Sequence, residues 1–257
     1  VRIAPEGWIV IVPFVLFVAL LAGGAFWLLG LFSLPLLVAA GLLMFWALWF
    51  FRDPVRTTPQ TLGMIFSPAD GKVIKVDFAP LPPEVAAEYR RHAGLATNGA
   101  EGEQPVVLPR IVIFLNLLNV HVNRVPTSGK VLSLLYRPGM FLNAGVDKAS
   151  TDNERSSAIM RDSNNRLIVF IQISGLIARR IVNHLREGQS VVAGERFGLI
   201  RFGSRAEVFL PEGSEMLVRV GDHVVAGQSQ MARLPATPAG VSVVSPARQS
   251  VSAGASA

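Results

Sequence analysis

Cysteine is absent from the 257 residues, which excludes disulfides, thiolate nucleophiles and Cys-ligated metal. Charge is scarce: Asp, Glu, Lys and Arg make up 16% of the chain, against roughly 25% in an ordinary globular protein. The deficit is local, because Trp8 to Phe51 contains no charged residue and holds all four Trp. Missing as well are Lys/Arg clusters with interleaved aromatics, so the net charge of +6 does not imply nucleic acid. No glycine pattern forms a phosphate loop, and no long heptad stretch occurs.

The uncharged stretch divides into two apolar helices, about 8–30 and 34–51, broken near Gly30, Ser33 and Pro35. At about 1.5 Å per residue they measure about 34 and 27 Å, enough for each to span a bilayer. They are too long for a signal-peptide core, and no small-residue cleavage site precedes a polar start. We therefore expect a transmembrane helical hairpin over residues 1–51. Arg2 precedes it and Arg52, Arg56 and Lys72 follow it, which puts both ends on the cytoplasmic face of the cell membrane. The net positive charge lies outside the hairpin and suits an anionic membrane surface.

Residues 52–234 are expected to form one mainly β (α+β) domain, and 235–257, rich in Pro, Ala, Ser, Gly and Val, a disordered tail. Removal of residues 1–50 is expected to release this domain in soluble, self-cleaving form. Short strands are predicted at 71–77, 110–117, 129–136, 166–173, 198–202, 206–210 and 216–220. Residues 80–105 read as a loop with a short helix near 84–92, and 175–184 as a helical run. An internal repeat orders the strands. Pro68-Ala69-Asp70-Gly71-Lys72-Val73 returns as Pro126-Thr127-Ser128-Gly129-Lys130-Val131, and Gly188–Glu195 returns as Gly221–Gln228. The pattern is similar to the flattened β-barrels of biotinyl and lipoyl carrier domains, here duplicated.

Gly203-Ser204 stands between two predicted strands, and by itself reads as a hairpin turn. His121, among apolar residues, reads equally as a packed core histidine, and Asp70-Gly71 as a common turn pair. Their company changes the reading. Phe50-Phe51-Arg52-Asp53-Pro54-Val55-Arg56, Ser67–Val73, Asn119-Val120-His121-Val122-Asn123-Arg124-Val125-Pro126, Asn143–Ser150 with Asn153-Glu154-Arg155, and Gln172-Ile173-Ser174-Gly175 occur in that order. Together they resemble the short membrane-anchored form of the phosphatidylserine decarboxylase proenzymes, over about residues 50–210.

The resemblance implies that the chain cleaves itself between Gly203 and Ser204, turning Ser204 into a covalent pyruvoyl group. This group would then decarboxylate phosphatidylserine to phosphatidylethanolamine through a Schiff base to the substrate amine. His121 would be the base, since an imidazole near pKa 6.5 exchanges protons at neutral pH, and Asp70 would orient and charge-stabilise it. Some relatives carry an acid where this chain has Asn119. The two cleaved chains are expected to stay together, no metal is implied, and self-association is left open. His92, His184 and His223 read as structural or solvated, with His184 at a helix end. Lys148, Glu154 and Arg155 lie in a polar segment that reads equally as a solvated loop or as part of the site. A non-catalytic membrane-anchored adaptor with a lipoyl-like barrel is the alternative. A biotin or lipoate carrier would need a Lys on a hairpin tip, and neither repeat offers one.

Overall fold

The computed structural model describes residues 2–95, 104–139, 153–175, 181–201 and 204–236. Lys148, Gly203 and all but the first two residues of the expected tail lie outside them. The chain opens with β1 (Arg2–Ile3), α1 (Pro5–Leu29), a 3-10 turn (Gly30–Ser33), α2 (Leu34–Phe50) and β2 (Arg52–Asp53). Pro5 suits the first helical position, where its missing N–H has no partner to lose. Gly30 closes α1 at φ +56, a conformation that favours glycine. β1 pairs with β2, and the Ala4 amide donates to the Phe51 carbonyl at 2.8 Å, so both ends of the apolar stretch lie side by side. Pro5–Phe50 is long and apolar enough to cross a membrane, and little of it is buried in the protein.

The remainder is mainly β. It comprises β3 (Met64–Phe66), β4 (Gly71–Pro80), α3 (Pro83–Ala93), β5 (Val107–Leu115), β6 (Val122–Arg124), β7 (Gly129–Arg137), β8 (Arg155–Arg161) and β9 (Leu167–Ile173). There follow β10 (Ile181–Asn183), β11 (Ser190–Val191), β12 (Arg196–Ile200), β13 (Ser204–Phe209), β14 (Glu215–Met216), β15 (His223–Val224) and β16 (Gln230–Arg233). Two expectations are corrected here. Residues 181–183 form a strand paired with β12 rather than the end of a helix, because Ile181 and Val182 are β-branched and find a ladder partner. The last predicted strand stops at Met216.

An eight-stranded sheet runs β11-β7-β8-β9-β13-β5-β4-β15, flanked by three-stranded sheets β10-β12-β6 and β14-β16-β3. The sequence repeats take matching places in it. Lys72 and Gly71 pair with His223 and Val224, as Lys130 and Gly129 pair with Ser190 and Val191. At both glycines the neighbouring strand comes close: a Cβ would sit 2.2 Å from the Phe114 carbonyl oxygen at Gly71 and 2.3 Å from that of Arg161 at Gly129. In one half, β8 turns directly into β9. In the other, the equivalent neighbours β5 and β13 are separated in sequence by β6 through β12.

That insertion sets the site, because it makes Ser204 the first residue of a returning strand, opposite Leu115 at the end of β5. Side chains alternate across the sheet. Ala206, Val208, Ile111, Ile113 and Leu115 enter the main core with Ile168 and Phe170. Phe209, Val169 and Ile171 pack on the other face with Val85 and Tyr89 of α3.

Candidate active site

His121 lies just before β6, and its carbonyl accepts the Ile200 amide at 3.2 Å. Ser204 opens β13 in register with Leu115. The chain therefore leaves β5 at Leu115 and reaches His121 through the 116–120 turn, while β12 leaves Ile200 and reaches Ser204 through 201–203. Leu115 pairs with Ser204 in the ladder and the Ile200 amide bonds to His121, so each sequence-chosen residue stands at one of two backbone contacts that lie five to six residues apart along β5–β6.

Both side chains are fully buried. The Ser204 hydroxyl and Nε2 of His121 have no hydrogen-bond partner among the described residues. Nδ1 of His121 lies 3.0 Å from the Asn119 carbonyl. A carbonyl only accepts, so Nδ1 carries the proton and Nε2 is left as the basic lone pair. Burial pulls the His121 pKa down to about 4; the Asn119 carbonyl opposes this, the Arg52 charge adds to it, and the Asp70 charge opposes it. The neutral ring is thus ready to take a proton at pH 7, and its charged form is disfavoured.

Asp70 is placed differently from the sequence expectation. Its carboxylate accepts a two-pronged pair from Arg56 at 2.5 and 2.7 Å and the Ala226 amide at 2.8 Å. It touches His121 only through its field. Asn119 orients the ring through its backbone, while its side chain accepts the Asn116 amide at 2.8 Å.

Phe50, at the end of α2, is the residue the sequence reading missed. Its ring centroid lies 4.2 Å from that of His121, and with Ala4, Ile11 and Phe51 it packs on Val120, Val122 and Leu199. The apolar helices therefore roof the histidine. Phe50 opens the first matched motif, but within the sequence it read only as part of the second apolar span.

Of the other residues, Asn153, Glu154 and Arg155 are buried, which overturns the solvated-loop reading for Glu154 and Arg155. Tyr136 donates to Glu154 at 2.7 Å, and Arg155 pairs with Glu84 at 2.6 Å. The Glu154 backbone carbonyl accepts the Ser174 amide at 3.0 Å, tying two matched motifs together. Gln172 donates to the Asn123 side chain at 2.9 Å, tying a third. His92 contacts Ser133 at 2.8 Å, and His223 is an exposed edge residue opposite Lys72. His184 caps no described helix and instead pairs with Glu6 of α1. Among the described residues no cluster of His, Asp and Glu could hold a metal.

The protein is thus mainly β, with a buried Ser204 hydroxyl and a buried His121 imidazole that each have an atom unpartnered among the described residues, and with an apolar helix pair packed over His121. The family model described as phosphatidylserine decarboxylase matches residues 43–232. A phosphatidylserine decarboxylase proenzyme of Paramagnetospirillum magneticum is 46% identical over 232 residues, 90% of this chain and 87% of that protein. One of Nitrobacter winogradskyi is 44% identical over 230 residues, 90% of this chain and 83% of that protein. The chain belongs to the phosphatidylserine decarboxylase family.

Proposed function

We propose that this protein decarboxylates phosphatidylserine to phosphatidylethanolamine and CO2 at the cytoplasmic face of a membrane, after cutting itself between Gly203 and Ser204. One observation carries the reading: Ser204 Oγ and His121 Nε2 are both buried and unpartnered among the described residues, with Ser204 laddered to Leu115 and His121 bonded to Ile200. Nε2 takes the hydroxyl proton as Oγ attacks the Gly203 carbonyl, and the peptide becomes an ester as its C–N bond breaks. Loss of the Ser204 α-proton then expels the Gly203 carboxylate, and hydrolysis of the resulting dehydroalanine releases ammonia. The fixed strand of Ser204–Phe209 holds the attacking residue, and burial keeps water from competing. The pyruvoyl group so made supplies a carbonyl that engages the substrate amine and draws off the electrons left when CO2 departs. His121, once protonated, would return a proton to the product carbon, and the Asp70 charge favours that state.

On this reading residues 1–51 anchor the chain, 52–234 form the catalytic domain and 235–257 are a tail. The matched half-sheets support the likeness to duplicated carrier-type barrels. An assay of CO2 and phosphatidylethanolamine with purified protein, paired with intact mass, tests the whole scheme. Active protein should consist of chains 1–203 and 204–257, the second blocked at its N-terminus, and Ser204→Ala should be single-chain and inactive. Turnover by an uncleaved chain would overturn it.

A further inference from the structure

We propose that the Leu117–Leu118 turn enters the lipid interface beside the end of α2, so that phosphatidylserine meets the His121–Ser204 site without leaving the bilayer. The inference rests on the membrane reading above and adds the surface that delivers the substrate. The turn joins Leu115, the ladder partner of Ser204, to His121. Its tip is two leucines, Leu117 at 37% and Leu118 at 65% exposure. A turn facing water ordinarily carries polar residues at its tip.

Here the polar residues flank the tip and serve the backbone. The Asn119 amide donates to the Asn116 carbonyl at 3.1 Å. The Asn116 amide donates to Asn119 Oδ1, and the Leu118 amide to Asn116 Oδ1, both at 2.8 Å. The Leu118 carbonyl accepts from Arg52 at 2.7 Å. With the Asn116, Leu118 and Asn119 amides and the Asn116 and Leu118 carbonyls paired, the turn can enter a water-poor layer, where unpaired amides are strongly disfavoured.

Arg52 also fixes the depth. Its other nitrogen donates to the Trp49 carbonyl at 2.7 Å, and its guanidinium carbon lies 4.2 Å from the centre of the Trp49 ring. Trp and Arg at the end of an apolar helix mark the headgroup level. The hydrogen bond from Arg52 holds Leu118 at that same level, so the leucines continue the apolar surface of α2.

The absence of cysteine allows a clean test. The full chain carrying Leu118→Cys is labelled with an environment-sensitive fluorophore in phosphatidylcholine vesicles containing brominated lipid. Phe78→Cys serves as the control, because it pairs opposite Pro109 at the far end of β5, roughly 20 Å along the ladder at about 3.3 Å per residue. Native Trp fluorescence reports the helix pair independently. The expected result is quenching of Trp and of the label at 118, with the label at 78 unaffected. Quenched Trp beside an unquenched label at 118 would overturn the proposal while leaving the anchor in the bilayer. No quenching of either would remove both, and an apolar but unquenched label would mean that protein, not lipid, covers the turn.

In a second arm, Leu117→Asn with Leu118→Asn is compared with the parent at equal extent of cleavage. The ratio of turnover on bilayer phosphatidylserine to turnover on a short-chain, water-dispersed form should fall about tenfold. An unchanged ratio would overturn the proposal.

Discussion

His121 loses its water to Phe50, Val120 and Val122, and its pKa falls to about 4. Self-cleavage that needs a neutral Nε2 should therefore keep its rate well below pH 6.5 and fail only near pH 4, read as fraction cleaved against pH on a gel. Phe50→Ala should move that acid limb upward, and His121→Ala should abolish cleavage while circular dichroism stays normal. An acid limb at 6.5 in the parent would contradict the burial argument. Stability follows the same sign: the folded ring stays neutral while the unfolded ring, near 6.5, takes up a proton. Stability present above pH 6.5 is thus lost as pH falls toward 4, by about 2 kcal/mol from this group between pH 7 and 5. Urea unfolding of Ser204→Ala at the two pH values measures it. Asp70→Asn has two effects, breaking the mostly buried pair with Arg56, at about 2 kcal/mol or more, and removing the charge that favours imidazolium. Relieving the first with Arg56→Gln in the same chain should restore stability but leave turnover low. Recovery of both would make Asp70 a positioning residue acting through Arg56.

Among the elements, β13 and the apolar helices matter most. Close strand approach at Gly71 leaves no room for a side chain, so Gly71→Ala should disrupt the β4–β5 ladder and lower stability by about 2–3 kcal/mol. Gly188, at φ +80 with open space around it, should accept Asn at under about 1 kcal/mol; paired denaturation curves decide. Deleting residues 1–50 is expected from the sequence to yield a soluble domain that still cleaves. The packing argues for a different outcome, because Ala4, Ile11 and Phe50 cover Val120, Val122 and Leu199, and Arg196 ties Glu6 to Asp53. The truncated chain should need detergent and cleave more slowly than the parent. Normal cleavage without detergent would show the roof to be dispensable.

At the scale of the whole molecule, the proposed cut falls where its two products cannot easily part. β13 begins at Ser204 and is hydrogen-bonded along its length to β5 on one side and β9 on the other. The small chain would thus supply a central strand of the eight-stranded sheet and the core residues Ala206, Val208 and Leu210. The cleaved chains should co-migrate on size exclusion in detergent at high salt and separate only in denaturant. Separation by salt alone would mean that ion pairs rather than the ladder join them.

The apolar stretch from Trp8 to Phe51 was legible in the sequence because its hydrophobicity is continuous and independent of partners. So were the strands around Val73, Val131 and Val208, whose apolar residues alternate with the pleat, and the repeats, whose copies take matching places in the sheet. The choice of Ser204 and His121 came from their ordered company of motifs, and the short helix expected near 84–92 is α3. Residues 181–183 were misread because a short apolar segment carries no period until β12 offers its edge. Only the tertiary structure decided that Arg56 holds Asp70, that the Asn119 backbone fixes the ring's tautomer, and that Phe50 roofs it. Those contacts join residues distant in sequence or depend on which way a backbone carbonyl points. Local pattern sets which segments become strands or spans, whereas the pKa and partners of a buried group depend on what the fold packs against it.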